Sequence, residues 1–472
     1  MTGQTTERPA ATTPVAVGRW TLVALVVGSM VGAGVFSLPG EFSRSTGVAG
    51  SGIAWVIAGA GTATLALTFL RLANRRPDLD AGVYSYAREG FGRYAEFLSA
   101  FGYYLTAVVG NVAYWVLIMS TVGEWLPVFD GGSTPAAVAV ASVGVWVYQL
   151  LLSRGIHSAN ALNRVVTVAK LVPLGVFVVV ALVAFDPAVF VANMSVSGVP
   201  LPSQVRSTML LTVFVFIGME CASAYSRYAR RRADVGWATM TGFGGVFVLF
   251  VLVTMVSFGV MPREEIAALD QPSIGGVLEH VLGPWGGALV GVGLLISVLG
   301  AYLAWTLVSC EVVVQAAEQG DMPRWLAREN RHHAPVAAIT MTSVLVQLFL
   351  LTVLGTTDAF TVAISLCSSL VLVPYLLSAG LSLRLAWPDR RTAARWVVLA
   401  VLAIGYALFL VWAGGLKYLL LTCVVYAPGT VVHAYARRAA GGLSRRELCA
   451  AAVVAALGVV AVVGLALGRI TL

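Results

Sequence analysis

Apolar runs of about twenty residues recur along almost the whole chain, and nothing else limits its possible folds so severely. A helix rises about 1.5 Å per residue, so a run of that length crosses the hydrocarbon core of a bilayer. About thirteen spans are expected, near 20–40, 48–70, 95–122, 135–153, 160–185, 206–226, 237–260, 284–317, 335–354, 360–386, 394–413, 416–435 and 448–468. They are numbered span 1 to span 13 below. Only 11% of the residues are charged and 58% are hydrophobic, whereas soluble domains carry about 25% charged residues. The expected fold class is an all-α polytopic membrane protein.

Two of the runs contain a glycine-bearing interruption. Span 1 reads Gly28-Ser29-Met30-Val31-Gly32-Ala33-Gly34-Val35-Phe36-Ser37-Leu38-Pro39-Gly40, and span 6 reads Phe214-Val215-Phe216-Ile217-Gly218-Met219-Glu220-Cys221. In lipid, an unbroken helix satisfies every backbone N–H and C=O internally. A break is tolerable where the freed groups line a cavity and bind something there, and paired breaks in two halves of a chain point to a transporter's central site. Five spans separate the starts of the two broken runs. That number is odd, so the second block enters the membrane from the opposite side, as an inverted repeat of five plus five spans requires. The expected organisation is a disordered cytoplasmic N-terminus over 1–16, a first repeat over 17–186 and a second over 205–388. Accessory spans 11–13 follow over 389–472. No loop is long enough for a separate soluble domain. Residues 82–92 are expected to form an interfacial helix, and 262–265 to start a short amphipathic one.

The net charge of +8 comes from 30 Lys and Arg against 22 Asp and Glu. With the N-terminus inside, the clusters Arg71/Arg75/Arg76, Arg88/Arg93, Arg154/Arg164, Arg227/Arg230/Arg231/Arg232, Arg324/Arg328/Arg331, Arg390/Arg391/Arg395 and Arg437/Arg438/Arg445/Arg446 all fall on the cytoplasmic side. The outer side holds only Arg44, Arg206, Arg263, Lys417 and Arg469. This is the positive-inside pattern. The basic balance is therefore topological, nucleic acid is not an expected partner, and the chain is placed in the inner (plasma) membrane of the cell with its N-terminus cytoplasmic. No signal-peptide cleavage pattern precedes span 1. All five cysteines lie in or beside spans, so no structural disulfide is expected. No Cys/His spacing suggests a metal site, and no cofactor is implied.

A break at Gly32–Gly34 starts a new half-helix near Val35. Its unpaired N–H groups, including those of Ala33 and Gly34, and its positive dipole end suit a carboxylate. The preceding half ends near Met30 with free carbonyls suited to an ammonium group. The competing reading is that the glycines allow close helix packing. Span 6 repeats the pattern at Gly218 and adds Glu220. A mid-membrane carboxylate marks function, and three roles stand open: proton carrier, partner for a cationic substrate, or acceptor for local backbone N–H groups. Lys170 in span 5 is one of only two lysines beside 28 arginines. A buried lysine can change protonation, occupy the place of a sodium ion, or bond the carbonyls at the span 1 break. Trp305 in span 8, with Asn111 and Tyr114 in span 3, offers an aromatic face for organic cations and an amide that needs partners; packing is the alternative. Span 10 supplies Ser365, Cys367, Ser368 and Ser369 as cavity-lining candidates. Glu311 is expected at a gate or in a salt bridge.

These segments resemble the amino acid–polyamine–organocation superfamily, and within it the basic amino-acid/polyamine antiporters, most closely the arginine–ornithine antiporter group. The matching stretches are 27–39, 215–220, Ala169-Lys170-Leu171-Val172-Pro173, Trp305-Thr306-Leu307 and Leu372-Val373-Pro374-Tyr375, and the resemblance covers residues 20 to about 390. It implies the five-plus-five fold and exchange by alternating access. It further implies that N–H groups at Ala33 and Gly34 hold an α-carboxylate, and that carbonyls at Met30, Phe214 and Ile217 hold an α-amino group. Asn111 and Trp305 would contact a cationic side chain. Glu220 matches a glutamate implicated in proton sensing, and Lys170 a lysine of proton-coupled or sodium-independent members. Ala33 stands where some relatives carry serine, and Phe214 where arginine–agmatine exchangers carry a gating tryptophan, so the substrate is left open.

The expected function is exchange of a cationic amino acid or related amine, in a monomer or homodimer, with protons as a further candidate partner. A proton-coupled permease of broader specificity is the alternative, and a non-transporting sensor is the alternative of another class. An intramembrane enzyme needs a general base or metal ligands at depth, yet His157, His280, His332, His333 and His433 lie in loops or at span ends; the chain is not expected to be an enzyme.

Overall fold

A computed structural model describes residues 18–76, 78–79, 83–155, 159–220, 232–356, 358–438 and 442–470. The expected disordered segment 1–16 and Cys221 lie outside the described residues. All regular structure among the described residues is helical.

Span 1 is a helix over Arg19–Met30, a tight helical turn over Ala33–Ser37 and a second helix over Leu38–Ser45, with a bend of 53° across the break. Span 2 covers Val48–Arg75, span 3 Arg93–Gly123, span 4 Pro135–Ser153 and span 5 Ala159–Val183. The first half of span 6 covers Leu201–Phe216; its second half falls outside the described residues. Span 7 is Arg232–Ser257, span 8 Pro284–Glu318, span 9 Val336–Thr352, span 10 Ala359–Ala386 and span 13 Arg445–Ala466. The helix Ala394–Arg437 has 44 residues, about 66 Å at helical rise and twice a bilayer core. It breaks at Gly415, whose φ is 74°, and so provides spans 11 and 12.

Among the described residues, nine helices are long and apolar enough to cross a membrane, and the bent pair of span 1 makes ten. Dividing the long helix at Gly415 gives eleven. Of the remaining two expected runs, span 5 has a shorter apolar stretch over Val168–Val183, and span 6 is described only in its first half. The interfacial helix is present over Val83–Phe91, and the short amphipathic one over Arg263–Ala268.

Local chemistry fixes the ends. Span 4 starts on Thr134, whose hydroxyl accepts the Ala137 N–H, with Pro135 in the first turn. Span 13 starts on a reciprocal cap between Ser444 and Glu447. Both arrangements satisfy donors that the first turn leaves free.

The layering follows burial. The apolar window of span 3 is 94% buried and that of span 10 is 72% buried, against 17% for span 13. Spans 3 and 10 are therefore the centre, and span 13 turns Val453, Val459, Val460 and Val463 outward. One face of the molecule is arginine-rich. There Arg76 pairs with Asp78 at 2.7 Å and Glu89 at 2.6 Å, Arg75 with Asp389 at 3.0 Å, and Arg71 lies 4.8 Å over Trp396.

Candidate functional site between the two breaks

The first helix of span 1 ends because Gly32 turns its N–H to Met30 O at 2.9 Å rather than to Gly28 O, one turn back. Gly28 O and Val31 O are thereby left without intrahelical donors. Lys170 supplies them: its buried ammonium donates to Gly28 O at 2.7 Å and to Val31 O at 2.8 Å. The new helical turn opens at Ala33, so its first N–H groups have no carbonyl behind them.

Span 6 breaks in the complementary way. Ile217 N–H takes Phe214 O at 3.3 Å, the acceptor that Gly218 would use in an unbroken helix. Gly218 N–H turns instead to the Glu220 carboxylate, at 3.2 and 3.1 Å. The Tyr103 hydroxyl donates to Glu220 Oε1 at 2.7 Å and the Tyr375 hydroxyl to Oε2 at 2.7 Å. Glu220 thus draws spans 3 and 10 onto the span 6 break.

The breaks also touch. Ser29 Oγ donates to Gly218 O at 3.1 Å. Gly218 has φ 106°, and a Cβ there would lie 2.6 Å from Ser29 O; both facts demand glycine. A Cβ on Gly34 would meet Val215 at 2.8 Å and the Phe214 ring at 2.9 Å.

A cavity lies against both breaks, and residues of each line it. Nine of the expected residues line it: Met30, Gly32, Ala33, Gly34, Tyr114, Phe214, Ile217, Trp305 and Cys367. Ser29, Val35, Thr106, Ala107, Gly110 and Val215 complete the lining. Five expected residues, Asn111, Gly218, Ser365, Ser368 and Ser369, stand outside it. Asn111 is buried behind the wall, donating to Thr306 Oγ1 at 3.0 Å, while its Oδ1 has no hydrogen-bond partner. Gly218 forms the break itself. Ser368 donates to Leu210 O at 2.6 Å and Ile364 O at 2.8 Å, tying span 10 to span 6. Ser365 is buried, with its carbonyl accepting from Ser369 Oγ at 3.0 Å. Glu311 accepts from Gln315 at 2.7 Å.

Sequence reasoning missed the tyrosines that hold Glu220 and a second buried acid. Glu41, in the second half of span 1, accepts from Arg44, Gln271 and Thr361, each at 3.1 Å. This ties span 1 to the segment before the helix Ser273–Leu282 and to span 10. Glu41 lies on the side of the cavity away from the arginine-rich face, and Glu220 on the side toward it. Thr106, Ala107 and Gly110 were findable: they lie eight, seven and four residues before Tyr114, on one helix face.

The site can offer N–H groups to an anion at Ala33 and Gly34, carbonyls at the two helix ends, and an aromatic face at Trp305. Among the described residues no group of three His, Cys, Asp or Glu could hold a metal ion.

Comparison with known proteins places this architecture. The sequence model described as amino acid permease matches residues 17–431. The chain is 45% identical over 436 residues to an arginine/ornithine antiporter of Pseudomonas aeruginosa, covering 89% of this chain and 90% of that one. It is 40% identical over 424 residues to a putative arginine/ornithine antiporter of Escherichia coli K12, with 88% and 91% covered. It is 35% identical over 464 residues to an arginine/agmatine antiporter of Chlamydia abortus, with 94% and 96% covered.

Proposed function

We propose that this chain, which belongs to the amino acid permease family, exchanges cationic amino acids or a related amine across the plasma membrane by alternating access. The observation that supports this reading best is the cavity held between two mutually touching helix breaks. There the α-carboxylate meets the N–H groups of Ala33 and Gly34. The α-amino group meets carbonyls of Met30, Phe214 and Ile217. The cationic side chain extends toward Trp305, with Asn111 and Tyr114 shaping that wall. Lys170 and Glu220 act on gating rather than on the substrate itself. The names of the relatives, arginine/ornithine and arginine/agmatine antiporters, support the cationic class.

The chain is organised as repeats over 17–186 and 205–388 with accessory spans beyond, and the arginine-rich face is cytoplasmic by the positive-inside pattern. The ammonium of Lys170 stands where a coupling cation would otherwise neutralise the freed carbonyls, so transport does not need sodium.

Counterflow into proteoliposomes tests the reading. Vesicles loaded with arginine should accumulate labelled arginine, ornithine or lysine, and alanine should compete poorly. Equal uptake into empty vesicles driven by a proton gradient would replace exchange with the second reading, a proton-coupled permease. Binding of arginine without any counterflow would instead identify a sensor.

A further inference from the structure

Five side chains that line the cavity between the breaks carry a polar donor: Ser29, Thr106, Tyr114, Trp305 and Cys367. Three of them are engaged by the protein's own backbone. Ser29 Oγ lies 2.8 Å from Val26 O and 3.1 Å from Gly218 O. Thr106 Oγ1 donates to Gly102 O at 2.8 Å, and Cys367 Sγ to Thr106 O at 3.2 Å. The Tyr114 hydroxyl bonds no described residue, although Tyr114 is only 6% exposed. A hydroxyl taken out of water without a bond is costly, and an acceptor entering the cavity would offset that cost.

That hydroxyl stands at the span 1 break. A Cβ on Gly32 would lie 3.5 Å from Tyr114 Oη. Ala33 and Gly34, whose N–H groups open the new helical turn, follow Gly32 directly. Trp305 stands at the other end of the cavity. Its ring lies 6.2 Å from that of Tyr103, which precedes Tyr114 by eleven residues, about 16 Å of helix. Thr106, Ala107 and Gly110 line the stretch between, on the same face of span 3. A cationic amino acid laid along span 3 thus has its side chain at Trp305 and its carboxylate beside Tyr114.

We propose that the Tyr114 hydroxyl donates to the substrate's α-carboxylate, as a third ligand beside the N–H groups of Ala33 and Gly34. This rests on the exchange reading above and adds to it the side-chain atom that tells an amino acid from its decarboxylated amine. A phenol hydroxyl can donate, an ionised carboxylate only accepts, and bonds to an ionised acceptor are the stronger kind. None of the described residues lining the cavity is acidic, so no carboxylate of the wall competes for the hydroxyl. An amine without the carboxylate leaves it unbonded. The two N–H groups belong to span 1 and the hydroxyl to span 3, so a carboxylate held by all three ties the broken span to the most buried one. The ring of Tyr114 remains part of the wall; the hydroxyl alone reads the carboxylate.

Calorimetric titration of the purified protein with arginine, and with agmatine, which is arginine without its carboxylate, tests the assignment. Tyr114→Phe keeps the ring and removes the hydroxyl. It should weaken arginine about tenfold or more and leave agmatine within about twofold of wild type. Equal losses for both ligands would make Tyr114 a piece of wall. A larger loss for agmatine would place the hydroxyl at the cationic end, and no change would leave it to water. Each of these three results overturns the assignment. The readout is the ratio of the two affinities, so a general loosening of the cavity, which weakens both ligands, does not imitate the expected result. Should Tyr114→Phe not fold, Tyr114→Met, which also lacks the hydroxyl, must move the ratio in the same direction. A wild type that binds neither ligand would overturn the exchange reading and this assignment with it; wild-type binding with a ratio unmoved in the variants overturns the assignment alone.

Discussion

At the span 1 break the freed groups are carbonyls, and an ammonium from span 5 takes two of them at 2.7 and 2.8 Å. At the span 6 break the freed group is an N–H, and a carboxylate two residues along takes it at 3.1 and 3.2 Å. The polarity of the exposed backbone decides the sign of the charge that braces it. The braces differ in reach as well as sign. Lys170 lies 139 residues from Val31 and joins two spans directly. Glu220 braces its own turn and then recruits Tyr103 and Tyr375 from spans 3 and 10. The first brace is a strut between two helices; the second is a local cap that became the meeting point of three.

If this contrast is right, removing the carboxylate should do the most damage. Glu220→Leu removes the carboxylate that accepts from two tyrosine hydroxyls and from the Gly218 N–H. Hydrogen bonds to a charged group are worth about 1.5–3 kcal/mol each, so a loss of about 4 kcal/mol or more is expected by thermal or denaturant unfolding, together with loss of counterflow. Glu220→Gln keeps an acceptor and should be milder. A Glu220→Leu protein as stable as wild type would break the comparison at its stronger half.

Lys170→Met comes next. It strands two carbonyls and should cost about 3 kcal/mol, slowing exchange while leaving membrane insertion intact. Loss of pH dependence with residual exchange would make Lys170 a proton switch. Slower exchange with the pH profile unchanged would make it a fixed strut. Wild-type exchange in this variant, or strict sodium dependence of the native protein, would remove both.

Trp305 makes no hydrogen bond to either brace, although its ring lies 6.2 Å from that of Tyr103, and should act chiefly on substrate. Stacking a desolvated cation on tryptophan is worth about 2 kcal/mol, or about 30-fold in affinity. Trp305→Ala should therefore weaken arginine and ornithine far more than alanine, with little change in melting temperature. Equal losses for every substrate would show a packing role.

The smallest effect is expected at Glu124, just past the end of span 3. Its Oε1 lies near Gly275. The residue is exposed, so its loss of hydration is partial; that loss, then the like charges of Glu279 and Asp270, push its carboxyl up to about 7. The folded state thus favours the protonated form. Stability should be fullest below the ordinary carboxylate range and decline slightly as pH rises through about 7. Melting curves across that range should lose this slope in Glu124→Gln; an unchanged slope would assign it to another group. This acid titrates without bracing anything, which makes it the control for the two braces.

How much was legible beforehand follows the same division. A lone lysine in an apolar run and a glycine break elsewhere are both visible in sequence, and the strut joins those two features. The break between spans 11 and 12 was equally plain at Gly414-Gly415. The partners of Glu220 were not, because Tyr103 and Tyr375 belong to spans 117 and 155 residues away. The span 10 serines show why. That span is buried around most of its circumference, so no polar stripe tells which face meets the cavity and which meets a neighbour. Cys367 reaches the cavity, while Ser368, one residue on, bonds the backbone of span 6. Asn111 and Tyr114 lie on one span, yet only Tyr114 lines the wall.

The contact between Ser29 and Gly218 has a mechanical meaning. With the Ser29 hydroxyl bonded to Gly218 O and no side chain on Gly218 to hold the backbones apart, the two half-helices behave like meshed teeth. Turning one through an angle turns the other, so the pair has one rotational freedom where two separate hinges would have two. A joint of that kind has few intermediate settings. In the exchange cycle proposed above, the cavity it guards would pass from one closure to the next without a stage at which both sides have come loose.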